Sequence, residues 1–497
     1  MRGRNSVVSG GLSLAVGQAA SQVCSFIRSI ILARLLSQED FGIAAVFATI
    51  LSLLEMVSNL SASTLIVQAS DGDEPALQNT AQFTLAARGV WNAVLFIALA
   101  GPLSGLFGIP GAQGAFRCLA LIPLARGFVH LDSNRFQRSL RFGPTVLVDA
   151  IANLVVLILA LPLTLWFRNY WAMLWILILQ SIGTMIGSHI VAQRRYGWNW
   201  KRNYAKRLFT FGWPLLINGI LMYGIMEGDR VVIGSARRFF PQSTYTLADL
   251  GVYSVAFALM MAPTNFVATA AGSLFLPVLA KVKSFPEEFA RRYLHCVDAV
   301  FLAAAIISVP LIFAGGKVIT FIYGQNYAAA AGFTGWLAAM WGIRIIRVAP
   351  TIGAMAQGDT RSAMFANLGR SLALVCMALG AATGSKLTWI AISGFGGECL
   401  AIVILTWRLS RVHGIACRVH NKPYALFAFG MLIAALGTYV AGSLSLLVTL
   451  IISMALVLIQ LSVTMLVIPG LYADILALLS PDLQTAETAS VGRPSQI

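Results

Sequence analysis

The sequence predicts an all-α polytopic membrane protein with about 14 transmembrane helices. They would form two pseudo-symmetric six-helix lobes followed by two C-terminal helices. Three observations lead to this prediction: the composition, the apolar stretches of spanning length, and a stretch that occurs twice. Of 497 residues, 58% are hydrophobic and only 11% are charged, whereas a soluble globular protein is typically about 25% charged. A water-facing surface of ordinary character is therefore excluded.

A membrane-spanning helix needs roughly 20 mainly apolar residues. The first apolar run continues to Leu36, beyond the h-region of a signal peptide, so we expect an uncleaved first span. No soluble domain is expected, because the loops are short. The candidate spans lie at 10–36, 41–66, 82–107, 114–132, 143–166, 170–192, 208–235, 250–280, 295–322, 328–352, 362–382, 387–408, 423–442 and 445–469.

Basic residues collect in alternate loops, and the most basic loop, Arg194–Arg207, lies between the sixth and seventh spans. The positive-inside rule places these loops, and with them both termini, in the cytoplasm. Topology thus explains the net charge of +16, and no nucleic-acid partner is expected. The predicted divisions are an N-terminal lobe (1–200), a C-terminal lobe (201–412), two additional spans (413–472) and a polar cytoplasmic tail (473–497).

The chain offers few groups for catalysis or metal binding. Its six cysteines are scattered without a CxxC motif, and its five histidines lack metal-ligand spacing. No Walker motif is present. We therefore expect no metal, no cofactor and no enzymatic activity.

Two stretches resemble each other, Phe26–Phe47 and Gly228–Ala256. In each, an apolar helix carries one arginine, Arg28 or Arg230, about two turns before its end. A polar loop follows, and then Asp-apolar-Gly opens the next apolar helix. Such repetition indicates two pseudo-symmetric halves that each contribute an arginine to a shared site.

The sequence resembles the polysaccharide transporter family of the multidrug/oligosaccharidyl-lipid/polysaccharide exporter superfamily. The residues that carry the resemblance are ILARLLSQEDFGIAA in the first two spans, DRVVIG in the seventh, ADLGVYSVAFAL opening the eighth and LFLPVLAKV closing it. These motifs agree with the family in both order and spacing. The resemblance covers roughly residues 8–470 through the span count and the half-repeat.

The resemblance implies an inner-membrane flippase with two six-helix lobes around a central cavity, working by alternating access. Its substrate would be an undecaprenyl-diphosphate-linked oligosaccharide repeat unit for exopolysaccharide, capsule or O-antigen. Membrane lipid is an implied partner, and a polysaccharide polymerase and a chain-length regulator are further candidates.

Charged residues inside the predicted spans are candidates for the substrate site, since an Arg or Asp at the bilayer centre costs about 2.5–3.5 kcal/mol on insertion scales. For each of them the alternative is a snorkelling end residue or an internal ion pair. Arginine predominates over lysine, and a guanidinium stays protonated and binds phosphate oxygens bidentately. The predicted ligands of the diphosphate are Arg28, Arg230, Arg126, Arg344 and Arg347.

Arg28 shares its helix with a stripe of amides and hydroxyls and lies roughly five turns from the cytoplasmic end. Arg34 lies within a turn of the other end, so snorkelling accounts for it. Glu227 precedes Arg230 by three residues, which allows a local pair. Glu55 and Glu398 have no basic neighbour in sequence, so each either couples transport to an ion or proton or pairs with a distant arginine.

Two alternative functions stay open. A cation-coupled multidrug exporter of the same superfamily should carry an acid-rich cavity, and the arginine majority argues against it. A membrane polysaccharide polymerase or glycosyltransferase should carry a large external loop or a carboxylate pair near an interface, and the sequence has neither.

Overall fold

The computed structural model describes residues 2–138, 141–414, 421–441 and 444–467. Over these ranges the regular structure is helical without strands, which confirms the all-α prediction. The helices are α1 (Arg2–Leu35), α2 (Gln38–Ser58), α3 (Ala62–Gln68), α4 (Pro75–Leu106), α5 (Gln113–Cys118), α6 (Leu121–Gly127), α7 (Asp132–Arg138), α8 (Gly143–Phe167), α9 (Tyr170–Val191), α10 (Arg202–Phe239), α11 (Leu247–Lys281), α12 (Pro286–Tyr323), α13 (Ala331–Ile346), α14 (Val348–Ala356), α15 (Thr360–Ala382), α16 (Thr388–His413), α17 (Asn421–Ala441) and α18 (Leu446–Val467).

The chain is a multi-pass membrane protein. Within the described ranges, 11 helical segments are long and apolar enough to cross a membrane, or 12 if one bent helix pair is a single span. α17 contains a shorter apolar helix, Ala425–Thr438. The count of about 14 spans therefore stays a prediction. The predicted tail 473–497 lies outside the described residues, as do parts of the segment 413–472.

The predicted span 114–132 is broken into shorter helices. α5 ends at Cys118 and α6 begins at Leu121. Pro123 has no N–H to donate to the carbonyl of Leu119, so the α-helical hydrogen-bond ladder cannot continue through this point. The segment Pro110–Gly127 then bends by 48° relative to α7.

The polar and apolar side chains of α18 are distributed as in a helix that faces lipid on one side. Leu466 is 82% exposed, whereas Thr449, Ser453, Gln460 and Thr464 are buried along one side. The Gln460 amide nitrogen donates to the carbonyl oxygen of Leu426 on α17 at 2.7 Å. Because hydrocarbon offers no hydrogen bonds, polar side chains turn toward protein and apolar ones turn outward.

The chain divides into two compact units. Unit 1 comprises Met1–Val255, Ile322–Tyr327 and Ala378–Lys386, and unit 2 comprises the remainder. Within unit 1, α10 packs against α2, α3 and α4. The predicted lobe boundaries rest on the sequence repeat rather than on contacts, so they stay a prediction.

Inside unit 1, the two copies of the repeat begin their second helices in the same way. The Ser37 hydroxyl accepts from the backbone N–H of Asp40 at 3.0 Å and donates to its carboxylate at 2.5 Å. Thr246 and Asp249 repeat both bonds, at 3.0 and 2.8 Å. Each pair is a reciprocal cap at a helix N-terminus, where the first N–H groups have no partner within the helix.

These two helix starts also touch each other at their equivalent glycines. A Cβ added at Gly42 on α2 would lie 1.8 Å from the carbonyl oxygen of Leu247 on α11. A Cβ added at Gly251 on α11 would lie 2.1 Å from the carbonyl oxygen of Gln38 on α2. Leu247 and Gln38 each precede their own glycine by four residues, so the contact is reciprocal. The repeat is thus visible in three dimensions as a close crossing that only glycine permits.

Candidate functional site

Arg28 lies on α1 among neutral polar side chains. Its guanidinium donates to the amide oxygen of Gln180 on α9 at 3.1 Å and to the hydroxyl of Ser25 at 3.3 Å. The Gln180 amide nitrogen donates in turn to Asn153 on α8 at 3.1 Å. Over the described residues, no carboxylate lies within ion-pair distance of Arg28. Its partners therefore orient the guanidinium without cancelling its charge.

Arg230, the repeat counterpart of Arg28 on α10, is ion-paired. Its guanidinium lies 2.5 Å from the carboxylate of Glu227, and the two side chains are 15% and 18% exposed. Thr49 on α2 donates to the same carboxylate oxygen at 3.2 Å. The hydroxyl of Tyr253 on α11 donates to Asp229 at 2.7 Å. The ion pair between Arg230 and Glu227 that the sequence allowed is thus present. The hydrogen bond from Thr49 to Glu227 joins α10 to α2.

Arg126 on α6 forms an ion pair with Glu55 on α2. Both side chains are partly exposed, that of Arg126 to 42% and that of Glu55 to 33%. Glu55 therefore pairs with an arginine that is distant in sequence, which is one of the two alternatives that the sequence left open. A coupling role for Glu55 stays a prediction.

Glu398 on α16 lies at the centre of three arginines, and its side chain is fully buried. Its carboxylate is 2.8 Å from Arg370 on α15, 3.0 Å from Arg347 after α13, and 3.9 Å from Arg344 on α13. The structure therefore brings the predicted residues Arg344, Arg347 and Glu398 together. For Glu398 too, a coupling role stays a prediction.

Arg370 was missed by the sequence reasoning, although the predicted span 362–382 contains it. An arginine at the middle of an apolar span is the signal that should have identified it. The partners Gln180 and Tyr253 could not have been found in this way, because an amide or a phenol in a membrane helix is not unusual by itself.

The predicted arginines form separate groups within the two units. Arg28 contacts α9, Arg230 pairs on its own helix, and Arg126 pairs with α2, all in unit 1. Arg344 and Arg347 surround Glu398 in unit 2. A guanidinium in any of these groups can donate two parallel hydrogen bonds to phosphate oxygens. Over the described residues, no three His, Cys, Asp or Glu side chains lie close enough together to hold a metal ion.

Comparison with known proteins places the chain among proteins of polysaccharide biosynthesis. Residues 31–332, more than half of the chain, match the family model described as polysaccharide biosynthesis protein. The chain is also 24% identical over 322 residues to the succinoglycan biosynthesis transport protein ExoT of Rhizobium meliloti (strain 1021). This match covers 64% of the chain and 63% of the relative's length, so about a third of that protein is not matched.

Solved transporter structures share the fold. The lipid II flippase MurJ in an inward closed conformation superimposes with a TM-score of 0.72 at 13% identity, over 90% of this chain and 98% of that one. An inward-facing multidrug resistance MATE family transporter gives 0.62 at 13% identity, over 80% and 96%. A MOP superfamily transporter from Pyrococcus furiosus gives 0.55 at 14% identity, over 82% and 96%. At these identities the likeness concerns the fold alone.

Proposed function

Because the chain belongs to the polysaccharide biosynthesis protein family, we propose that it is a flippase for a polyprenyl-diphosphate-linked oligosaccharide repeat unit. The membership confirms the family resemblance that the sequence motifs indicate. The chain is a transport protein of polysaccharide biosynthesis with many membrane-spanning helices. The finer proposal is translocation from the cytoplasmic to the periplasmic leaflet of a bacterial inner membrane by alternating access, with both termini in the cytoplasm.

The observation that supports this proposal most directly is the environment of Arg28. A charged guanidinium inside a membrane is costly, and the side chains to which Arg28 donates hydrogen bonds are the neutral Gln180 and Ser25. A diphosphate brings about two negative charges and accepts bidentate hydrogen bonds. Such a ligand supplies the anion that the described neighbours of Arg28 do not.

The other predicted arginines would also bind the diphosphate of the substrate. Arg230 and Arg126 each have a carboxylate partner, so phosphate must compete with Glu227 or Glu55 for them. Arg344 and Arg347 would meet the diphosphate in unit 2. A polymerase and a chain-length regulator belong to the proposal as partners, and the name of the succinoglycan relative supports an exopolysaccharide cargo.

Disruption of the gene tests the proposal against the alternatives. We expect the mutant strain to accumulate lipid-linked repeat units on the cytoplasmic leaflet, because translocation is the step removed. Accessibility of the accumulated glycan to an externally added glycosidase, in spheroplasts and in inverted vesicles, locates it. Accumulation on the outer leaflet would contradict the proposal and favour a polymerase. Unchanged export together with increased sensitivity to cationic drugs would favour the exporter.

A further inference from the structure

Arg344, Arg347 and Arg370 converge on the carboxylate of Glu398. They come from three different stretches of unit 2: α13, the residue between α13 and α14, and α15. The carboxylate is fully buried, whereas the arginine side chains retain 16%, 12% and 10% of their exposure. Each arginine side chain thus keeps a small exposed part, whereas the glutamate side chain keeps none.

The contacts around the cluster fix the direction of the guanidinium groups. The Arg344 guanidinium carbon lies 4.6 Å from the centre of the Trp341 ring, and the Trp341 side chain is buried. Arg347 donates to the amide oxygen of Asn367 on α15 at 3.3 Å. Three cationic groups held this close repel one another unless an anion lies among them. Glu398 supplies that anion while no ligand is bound.

The distances are graded around the carboxylate. Arg370 and Arg347 lie at the short ion-pair distances of 2.8 and 3.0 Å from Glu398, whereas Arg344 lies at 3.9 Å, at the limit of an ion pair. A single carboxylate has two oxygens and cannot give three guanidinium groups a bidentate partner each. A diphosphate offers more acceptor oxygens, spread over two phosphorus centres.

We propose that Arg344, Arg347 and Arg370 form a diphosphate-binding site in unit 2, and that Glu398 is the positioning residue that holds it together when it is empty. Arg370 is a ligand in addition to the predicted Arg344 and Arg347. In the absence of substrate, the Glu398 carboxylate supplies the negative charge that the diphosphate would otherwise bring. When the diphosphate binds, its oxygens replace the Glu398 carboxylate as the anionic partner of the guanidinium groups and take over the hydrogen bond that Arg347 donates to Asn367. The identity of the anion as a lipid diphosphate rests on the proposed function.

The test uses Glu398→Gln, which removes the charge and keeps the shape. Without Glu398's charge the arginines repel, so we expect the purified full-length variant to melt at a lower temperature than the wild type. Inorganic pyrophosphate should then raise the melting temperature of the variant by more than it raises that of the wild type, because a ligand that binds the folded state stabilises it. In the double variant Glu398→Gln/Arg370→Ala, the pyrophosphate effect should be reduced.

Three results would overturn the proposal. An equal pyrophosphate effect in the single and double variants would show that Arg370 is not a ligand. No effect in either variant would leave Glu398 as an internal ion pair only. An equal effect of inorganic phosphate at matched ionic strength would indicate a general phosphate site, such as one for a phospholipid headgroup.

A second comparison keeps the proposal testable if Glu398→Gln does not fold. Arg370→Lys retains the positive charge beside Glu398 but loses the bidentate fork, so pyrophosphate affinity should fall about tenfold or more. The control is Arg361→Lys, since Arg361 is exposed at the start of the same helix, and its affinity should not change. Equal affinities in both variants would contradict the site. Binding to purified protein is read without transport, so its failure is separate from failure of the proposed function.

Discussion

Replacing Arg28 by alanine is expected to abolish polysaccharide export while the amount of protein in the membrane stays near normal. The substitution removes a guanidinium whose described partners are the neutral Gln180 and Ser25. No carboxylate among the described residues is left without its cation, so the cost to stability should be small. The cost to transport should be large, because the substrate loses a charge-assisted, bidentate donor. Export measured as surface polysaccharide, beside membrane protein level by immunoblot, separates the two effects.

The conservative substitution makes this prediction sharper. Arg28→Lys keeps the charge but loses the planar fork, and we expect export to fail by at least about tenfold. Arg34→Lys is the matched control on the same helix, because Arg34 lies near the helix end and contacts the carbonyl oxygen of Ile322. Its export should be close to normal. Normal export in both lysine variants would show that charge alone is needed at Arg28.

Replacing Arg230 by alanine is expected to abolish export and also to destabilise the protein. Glu227 loses the cation at 2.5 Å and keeps only the hydroxyl of Thr49 among its described partners. Leaving one member of a buried pair without its partner costs about 3–5 kcal/mol. The melting temperature of the purified variant should therefore fall, unlike that of Arg28→Ala.

The double variant Arg230→Ala/Glu227→Gln separates the role in stability from the role in transport. With both charges removed, most of the lost stability should return, but export should remain absent if Arg230 binds the substrate. Arg238→Ala, at an exposed position of the same helix, is the control for stability and export. Restored export in the double variant would mean that Arg230 serves only to neutralise Glu227.

The sequence predicted the helical fold and the repeat because both depend on local patterns. Composition and apolar lengths are sufficient to identify membrane helices. The shared order of helix, arginine, loop and Asp-apolar-Gly reappears in the structure as two matching capping pairs and as the Gly42–Gly251 crossing. The exception was the span 114–132, where Pro123 interrupts a run whose hydropathy alone favours one helix.

The partners of the charged residues could not be predicted in the same way. Glu55 and Arg126 are 71 residues apart, and Glu398 pairs with arginines from other helices. Hydropathy places such residues at a depth in the membrane but does not say which helices face each other. Arg230 shows the converse case, since a pair three residues apart on one helix is visible in the sequence. Arg370 could also have been identified from the sequence, because it lies inside the predicted span 362–382.

The most direct test of diphosphate-lipid flipping is a reconstituted assay. Purified wild-type protein and Arg28→Lys would be placed in vesicles that contain a fluorescent undecaprenyl-diphosphate oligosaccharide, and a membrane-impermeant quencher would be added outside. With wild-type protein, we expect the quenched fraction of the fluorescent lipid to exceed the fraction that lies in the outer leaflet at the start. With Arg28→Lys, we expect the quenched fraction to stay near the value for protein-free vesicles. Equal flipping by the two proteins would contradict the role of Arg28. Absence of flipping by wild-type protein that still transports a cationic drug would contradict the function itself.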